Sequence, residues 1–144
     1  MLDYLLFMKQ RVLFLCTGNS VRSQMAEGLL RYLAGDRFDV CSAGTHPVGL
    51  NPGAVVAMRE LGIDMSAQRS KRMDEFVDQA FDYVITVCDR AKESCPRWPH
   101  TGRLLHWSFD DPAATIGSPE EQRKAFRTVR EQIKAHIEGF ITAP

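Results

Sequence analysis

Val12-Leu13-Phe14-Leu15-Cys16-Thr17-Gly18-Asn19-Ser20-Val21-Arg22-Ser23-Gln24-Met25-Ala26-Glu27-Gly28 changes its periodicity midway. Val12 to Leu15 is a short, unbroken apolar run, the pattern of a strand buried on both faces. From Met25 onward the apolar residues Met25, Leu29, Leu30 and Leu33 fall at helical spacing, and Gly35 marks the end of that helix. Between strand and helix lies Cys16-x5-Arg22, closed by Ser23. Five residues between Cys and Arg let the backbone curl so that successive N–H groups point inward and make a nest for an anion. The helix that follows adds its positive N-terminal end. Arg22 offers a planar fork for two oxygens of a tetrahedral oxyanion, and Gly18 permits backbone angles that other residues resist. The same groups stabilise a thiolate at Cys16, so Cys16 is predicted to be the lowest-pKa thiol of the chain. Ser23 is placed to donate a hydrogen bond to that thiolate, and Asn19 to brace the loop.

The rest of the chain repeats the alternation. Phe38 to Cys41, Tyr83 to Val87 and Leu104 to Phe109 read as further strands. Pro52 suits the first turn of a second helix, whose Val55, Val56, Met58 and Leu61 continue to Gly62. Ser118-Pro119-Glu120-Glu121 reads as the cap of a last helix that buries Phe126, Val129, Ile133 and Ile137. Strands alternating with helices predict a parallel sheet covered on both faces, with ligands at the carboxyl ends of its strands.

The chain has 144 residues, 44% hydrophobic and 25% charged, which is one ordinary globular domain. Its formal net charge is zero, which argues against nucleic acid or an anionic membrane as main partner. An anion site must then be built locally from particular groups. No apolar run reaches transmembrane length. Met1 to Phe7 is apolar but too short for a signal peptide, carries Asp3 and lacks a basic leader. Met8 is a second candidate start, so residues 1–10 read as a short N-terminal extension and 11–144 as the domain. The expected location is the cytoplasm, where a reactive cysteine is a more natural reading than a structural bridge. The four cysteines and four histidines show no spacing typical of a metal site. Cys41 reads as a small buried residue, and His46, His106 and Trp107 as loop or core residues.

The stretch from Val12 to Gly28 resembles the amino-terminal signature of the low-molecular-weight protein tyrosine phosphatases. It is closer still to the thioredoxin-coupled arsenate reductases that share their fold. The resemblance continues through Ser42-Ala-Gly-Thr45, Asn51-Pro52 and Asp110-Asp111-Pro112. It implies a four-stranded parallel sheet flanked by helices, the low-molecular-weight phosphatase-like fold. It also implies an oxyanion loop formed by Thr17, Gly18, Asn19, Ser20, Val21, Arg22 and Ser23, with Asp111 as general acid. Asp110 reads as a supporting or solvated carboxylate.

Two places separate the branches. Cys88 and Cys95 match the redox pair of the arsenate reductases in spacing, and ordinary phosphatase members lack it. Ala113 and Ala114 follow Asp111-Pro112 where the similar phosphatases carry aromatics that flank a substrate ring. The resemblance thus implies a three-thiol relay in arsenic detoxification: Cys16 attacks arsenate, Cys88 attacks Cys16, Cys95 attacks Cys88, and thioredoxin or a similar dithiol protein reduces the final disulfide. Phosphate and sulfate would compete for the loop, and no metal or organic cofactor is implied. Some family members carry another cysteine at the position of Val21, which lies outside the relay. Some of the reductases bind potassium beside the loop. Asn19, Glu27 and Ser42 match three of its ligand positions, but the fourth is Lys71, so no potassium requirement is expected. Ala91-Lys92-Glu93 predicts a helix between Cys88 and Cys95. Seven helical residues advance about 10 Å, whereas a disulfide needs Cα atoms about 4.4–6.8 Å apart, so that segment must open on oxidation. The alternative reading is a phosphatase acting on phosphotyrosine or small phosphoesters. A third, a non-enzymatic oxyanion or phosphoprotein binder, is disfavoured by the intact Cys16, Arg22 and Asp111.

Overall fold

The computed structural model describes residues 8–88 and 101–143. Cys95, and the helix predicted between it and Cys88, lie outside the described residues. Four strands form one parallel sheet: β1 (Gln10–Cys16), β2 (Phe38–Gly44), β3 (Phe81–Thr86) and β4 (Thr101–His106), in the order β2-β1-β3-β4. Three α-helices, α1 (Arg22–Ala34), α2 (Pro52–Arg59) and α3 (Pro119–Thr142), pack against one another among the described residues. Val12, Leu13, Phe14 and Leu15 are all buried, as the unbroken apolar run of β1 predicts for a central strand.

The strand order creates the feature on which the site depends. β1 pairs with β2 on one side and with β3 on the other, so the chain leaves the carboxyl ends of β1 and β3 as neighbours. This is the topological switch point of an open parallel sheet, where a crevice forms. Cys16 ends β1, and Val87 N–H donates to Leu15 O at 2.8 Å, which places Cys88 beside it.

The local signals that start the helices are met. Asn51 Oδ1 accepts from Gly53 N–H at 2.7 Å at the head of α2. Ser118 and Glu121 form a reciprocal capping box at the head of α3. Phe126, Val129, Ile133 and Ile137 are buried as predicted. Glycine at position 53 lets α3 come close, because a Cβ there would meet Phe126 Cζ at 2.8 Å.

Some predicted details differ. α2 turns Ala54, Ala57 and Met58 inward rather than both valines, and Val56 is exposed. Leu33 is partly exposed, because the buried face of α1 runs through Met25, Ala26, Leu29 and Leu30. β4 spans residues 101–106, not 104–109, and as an edge strand leaves Leu104 65% exposed. Trp107 and Phe109, read as strand residues, instead pack on α3. His136 lies 5.5 Å from the Trp107 ring and 4.9 Å from the Phe109 ring. Cys41 is half-buried rather than buried.

Candidate active site

The loop after β1 is held from outside. Thr45 N–H donates to Cys16 O at 3.3 Å, His46 N–H to Thr17 O at 2.8 Å, and Val48 N–H to Gly18 O at 3.0 Å. Asn51 N–H donates to Ser20 O at 3.1 Å, and Gln24 Nε2 to Asn19 O at 3.1 Å. Every carbonyl from Cys16 to Ser20 is thus turned outward and satisfied. In a trans peptide the next N–H points the opposite way. The N–H groups of residues 17 to 21 therefore face the hollow, which is the nest the spacing predicts. Thr17 N–H donates to Cys88 Sγ at 3.3 Å, and the Asn19 N–H favours the Cys16 anion.

Asn19 carries the turn. Its φ of 45° is left-handed, a conformation asparagine tolerates better than most residues. Its side chain is fully buried and fully used. Nδ2 donates to Ser23 Oγ at 2.8 Å and Ser42 Oγ at 3.0 Å, while Oδ1 accepts from Gln24 Nε2 at 3.0 Å and Lys71 N–H at 2.8 Å. Ser42 Oγ donates in turn to Glu27 Oε1 at 2.6 Å. The Lys71 ammonium lies 3.7 Å from the same carboxylate oxygen, and burial pulls the lysine's pKa down against the pull of Glu27. A side-chain cation therefore stands beside Asn19, Ser42 and Glu27. Among the described residues no group of three or more His, Cys, Asp and Glu is arranged to hold a metal.

Cys16 and Cys88 are both buried, and their thiols are hydrogen-bonded to each other. While both thiols are reduced, this contact opposes the low pKa expected of Cys16. The hydrogen bond with Cys88, then burial, then the Cys88 charge push Cys16 up, against Arg22 and the Asn19 N–H, which pull it down. Two thiols in contact release their protons as a pair, so the second proton is held hard. Thr17 also sets its Oγ1 3.4 Å from Cys88 Sγ, fixing that thiol from a second side.

Arg22 donates through Nη1 to Phe109 O at 3.0 Å, which ties the head of α1 to the segment leading to Asp111. Its Nε is buried with no partner, alone in this among the described side-chain nitrogens and oxygens. A buried, unpaired donor of a charged group is costly, and an oxyanion would satisfy it. Asp111 is exposed, caps the turn at Pro112–Ala114 by accepting from Ala113 N–H at 3.0 Å, and lines the same hollow. The hollow has a volume of about 210 Å³ and is walled by Cys16, Gly18, Ser20, Val21, Arg22 and Asp111, together with Val48, Asn51 and Ala113. That is smaller than the ~300–1,000 Å³ of pockets for ordinary organic ligands. A larger groove of about 580 Å³, between α2 and the head of α3, meets it at Asn51 and Ala113.

The sequence-predicted set therefore divides. Cys16, Arg22, Cys88 and Asp111 converge at the switch point. Gly18, Ser20 and Val21 wall the hollow, while Thr17, Asn19 and Ser23 stand behind it. Ser23 makes its bond with Asn19, and no bond from Ser23 to Cys16 is made in this structure. Sequence reasoning missed Gln24, Gln68 and the backbone of residues 45–51. Gln24 lay inside the quoted motif, and buried polar residues of this kind are hydrogen-bonded as a rule.

A parallel sheet that delivers a cysteine, an arginine and a nest of N–H groups to one crevice defines a protein built to bind a tetrahedral oxyanion at a thiol. Residues 11–143 match the family of the low molecular weight phosphotyrosine protein phosphatases, and the chain belongs to that family. Among similar proteins is an arsenate reductase of Halalkalibacterium halodurans, 48% identical over 132 residues, covering 92% of this chain and 95% of that one. A solved arsenate reductase in a phosphate-binding state superposes with a TM-score of 0.77 at 35% identity, covering 92% of this chain and 96% of the other. A thioredoxin-dependent arsenate reductase of Corynebacterium glutamicum has a TM-score of 0.72 at 29% identity, over 92% of this chain and 60% of its own.

Proposed function

We propose that this protein reduces arsenate to arsenite by a thiol relay and is regenerated by thioredoxin or a similar dithiol protein in the cytoplasm. The observation that carries the reading is a second buried thiol, Cys88, set beside Cys16 at the switch point and held there by Thr17 N–H at 3.3 Å. A phosphatase needs only the first thiol, whereas a reductase needs a second thiol within reach.

Arsenate binds with its oxygens on the inward N–H groups and on Arg22, whose Nε gains a partner. The Cys16 thiolate attacks arsenic, and the leaving oxygen departs as water with a proton from Asp111. Cys88 then attacks Cys16 Sγ. The sulfur–arsenic bond breaks, its electron pair stays on arsenic, and As(V) becomes As(III). Arsenite leaves, and a Cys16–Cys88 disulfide remains. Cys95 attacks Cys88 Sγ, releases the Cys16 thiolate and moves the disulfide to the 88–95 pair, which the external dithiol reduces. The two electrons given to arsenic are those lost by the two thiols that form the disulfide.

The test is arsenate-dependent NADPH oxidation by the reduced protein with thioredoxin and its reductase. Cys88→Ser should abolish it, and Cys95→Ser should permit at most a single turnover. The exposed Ala113 and Ala114 offer no ring platform, which suits an inorganic oxyanion. Hydrolysis of para-nitrophenyl phosphate by Cys16, Arg22 and Asp111 should be weak and should survive Cys88→Ser. Robust phosphotyrosine hydrolysis with no arsenate-dependent NADPH oxidation would replace this reading by the phosphatase one.

A further inference from the structure

Gln24 is fully buried on the first turn of α1, yet it neither lines the hollow nor takes part in the relay. Its Nε2 is surrounded by three acceptors: Asn19 O at 3.1 Å, Asn19 Oδ1 at 3.0 Å and Arg69 O at 2.8 Å. Its Oε1 accepts from Gln68 Nε2 at 2.9 Å, and the same Gln68 nitrogen donates to Gln24 O at 3.0 Å. The orientation of the Gln24 amide is therefore forced. If inverted, it would set an oxygen against three oxygens and a nitrogen against a donor.

We propose that Gln24 is a positioning residue for the oxyanion loop and that Gln68 sets its orientation. The loop it acts on is the one invoked in the proposed function. The argument runs through one peptide plane. The plane of the Asn19–Ser20 peptide is set by ψ of Asn19 and φ of Ser20, and turning it over exchanges the directions of the Asn19 carbonyl and the Ser20 N–H. Four of the loop carbonyls from Cys16 to Ser20 take backbone N–H groups from residues 45–51, Gly18 O accepting from Ser70 Oγ at 3.2 Å as well, whereas Asn19 O takes its bond from the Gln24 side chain. Gln24 thus decides which end of the Asn19–Ser20 peptide faces the anion. With the amide in place, the carbonyl points out and the Ser20 N–H points in. Without it, a flip would withdraw that N–H and turn a carbonyl dipole toward the bound oxyanion. The Asn19 Oδ1 bond adds a second hold on the same residue, whose N–H favours the Cys16 anion.

The experiment compares wild type, Gln24→Met, Gln24→Glu and Gln68→Met in reduced form. It measures protection of Cys16 from alkylation by inorganic phosphate, KM and kcat for arsenate, and the pH profile of alkylation. Loss of one hydrogen bond to a charged group corresponds to a roughly ten- to hundredfold effect. Gln24→Met is expected to weaken phosphate protection and raise KM by about that factor, with a smaller change in kcat, and to move the alkylation profile to higher pH. Gln24→Glu, which keeps the shape but loses the donor, should not rescue it. Gln68→Met, farther from the loop, should shift the same readouts in the same direction by less, and it keeps the proposal testable if the Gln24 variants fail to fold. Folded variants at both positions with wild-type protection, KM and pH profile would overturn the proposal. Failure of phosphate to protect wild-type Cys16 would instead strike at the oxyanion-loop assignment itself, which separates the two outcomes.

Discussion

A Cβ added to Gly44 would stand 2.6 Å from the carbonyl oxygen of Thr17 and 3.0 Å from the backbone nitrogen of Asn19. The end of β2 and the oxyanion loop are thus in backbone-to-backbone contact, with no room for a side chain. Gly44→Ala must push the loop toward its own hollow. It should cost about 1–3 kcal/mol, the usual range for overpacking, and weaken phosphate protection of Cys16. Denaturant midpoints and alkylation with and without phosphate would check both. A variant as stable as wild type with intact protection would show that the loop yields freely.

Cys88 is the first cause of the raised Cys16 pKa. A raised thiol pKa delays the reactive thiolate to higher pH, so removal of the cause must act in the opposite direction. In Cys88→Ala the alkylation of Cys16 should begin at lower pH than in wild type, with Arg22 and the Asn19 N–H left to favour the anion. A profile that stays put or moves upward would mean that burial alone governs Cys16.

Lys71 brings an ammonium to within 3.7 Å of Glu27 beside Asn19 and Ser42. Turnover should therefore be the same in potassium and sodium chloride at matched ionic strength. Lys71→Asp removes the resident cation and adds an anion, so it should lower activity in sodium and recover part of it in potassium. A clear potassium stimulation of wild type would contradict this assignment.

Glu60 holds α2 to α3 by a two-point contact with Arg127 at 2.8–3.1 Å and a bond from Arg130 at 2.8 Å. Arg127, ahead of Arg130, lowers the Glu60 pKa from 4.5 to about 2. A depressed carboxylate pKa contributes stability that is present above the unfolded value and lost as pH falls through the folded one. Wild type should thus be more stable than Glu60→Gln at neutral pH. The gap should close between about pH 4.5 and pH 2 in acid-unfolding curves at low salt.

The fold was legible because its signals are local. An apolar run, a helical period, Ser118 with Glu121 and Pro52 after Asn51 each act within a few residues. The errors lie where burial is decided by distant chain. Leu104 has the composition of an interior strand, but β4 has a neighbour on one side only. Cys16 carried every group that lowers a thiol pKa within its own motif, while the opposing group, Cys88, arrives through the pairing of β1 with β3. Gln24 was invisible for a similar reason. Its partners Gln68 and Arg69 come from a stretch that no periodicity ties to the loop.

The meeting of β1 and β3 has a thermodynamic side. A Cys16–Cys88 bond would close a loop of roughly 70 residues, a constraint worth about 4 kcal/mol on the unfolded chain in the loop-entropy description. By linkage, the native sheet must favour formation of that bond by the same amount, acting as a high effective concentration of one thiol at the other. Oxidative strength and conformational stability are then two readings of one quantity in this protein. A substitution in β1 or β3 that loosens the sheet should make the transient disulfide easier to reduce, even when it touches neither sulfur.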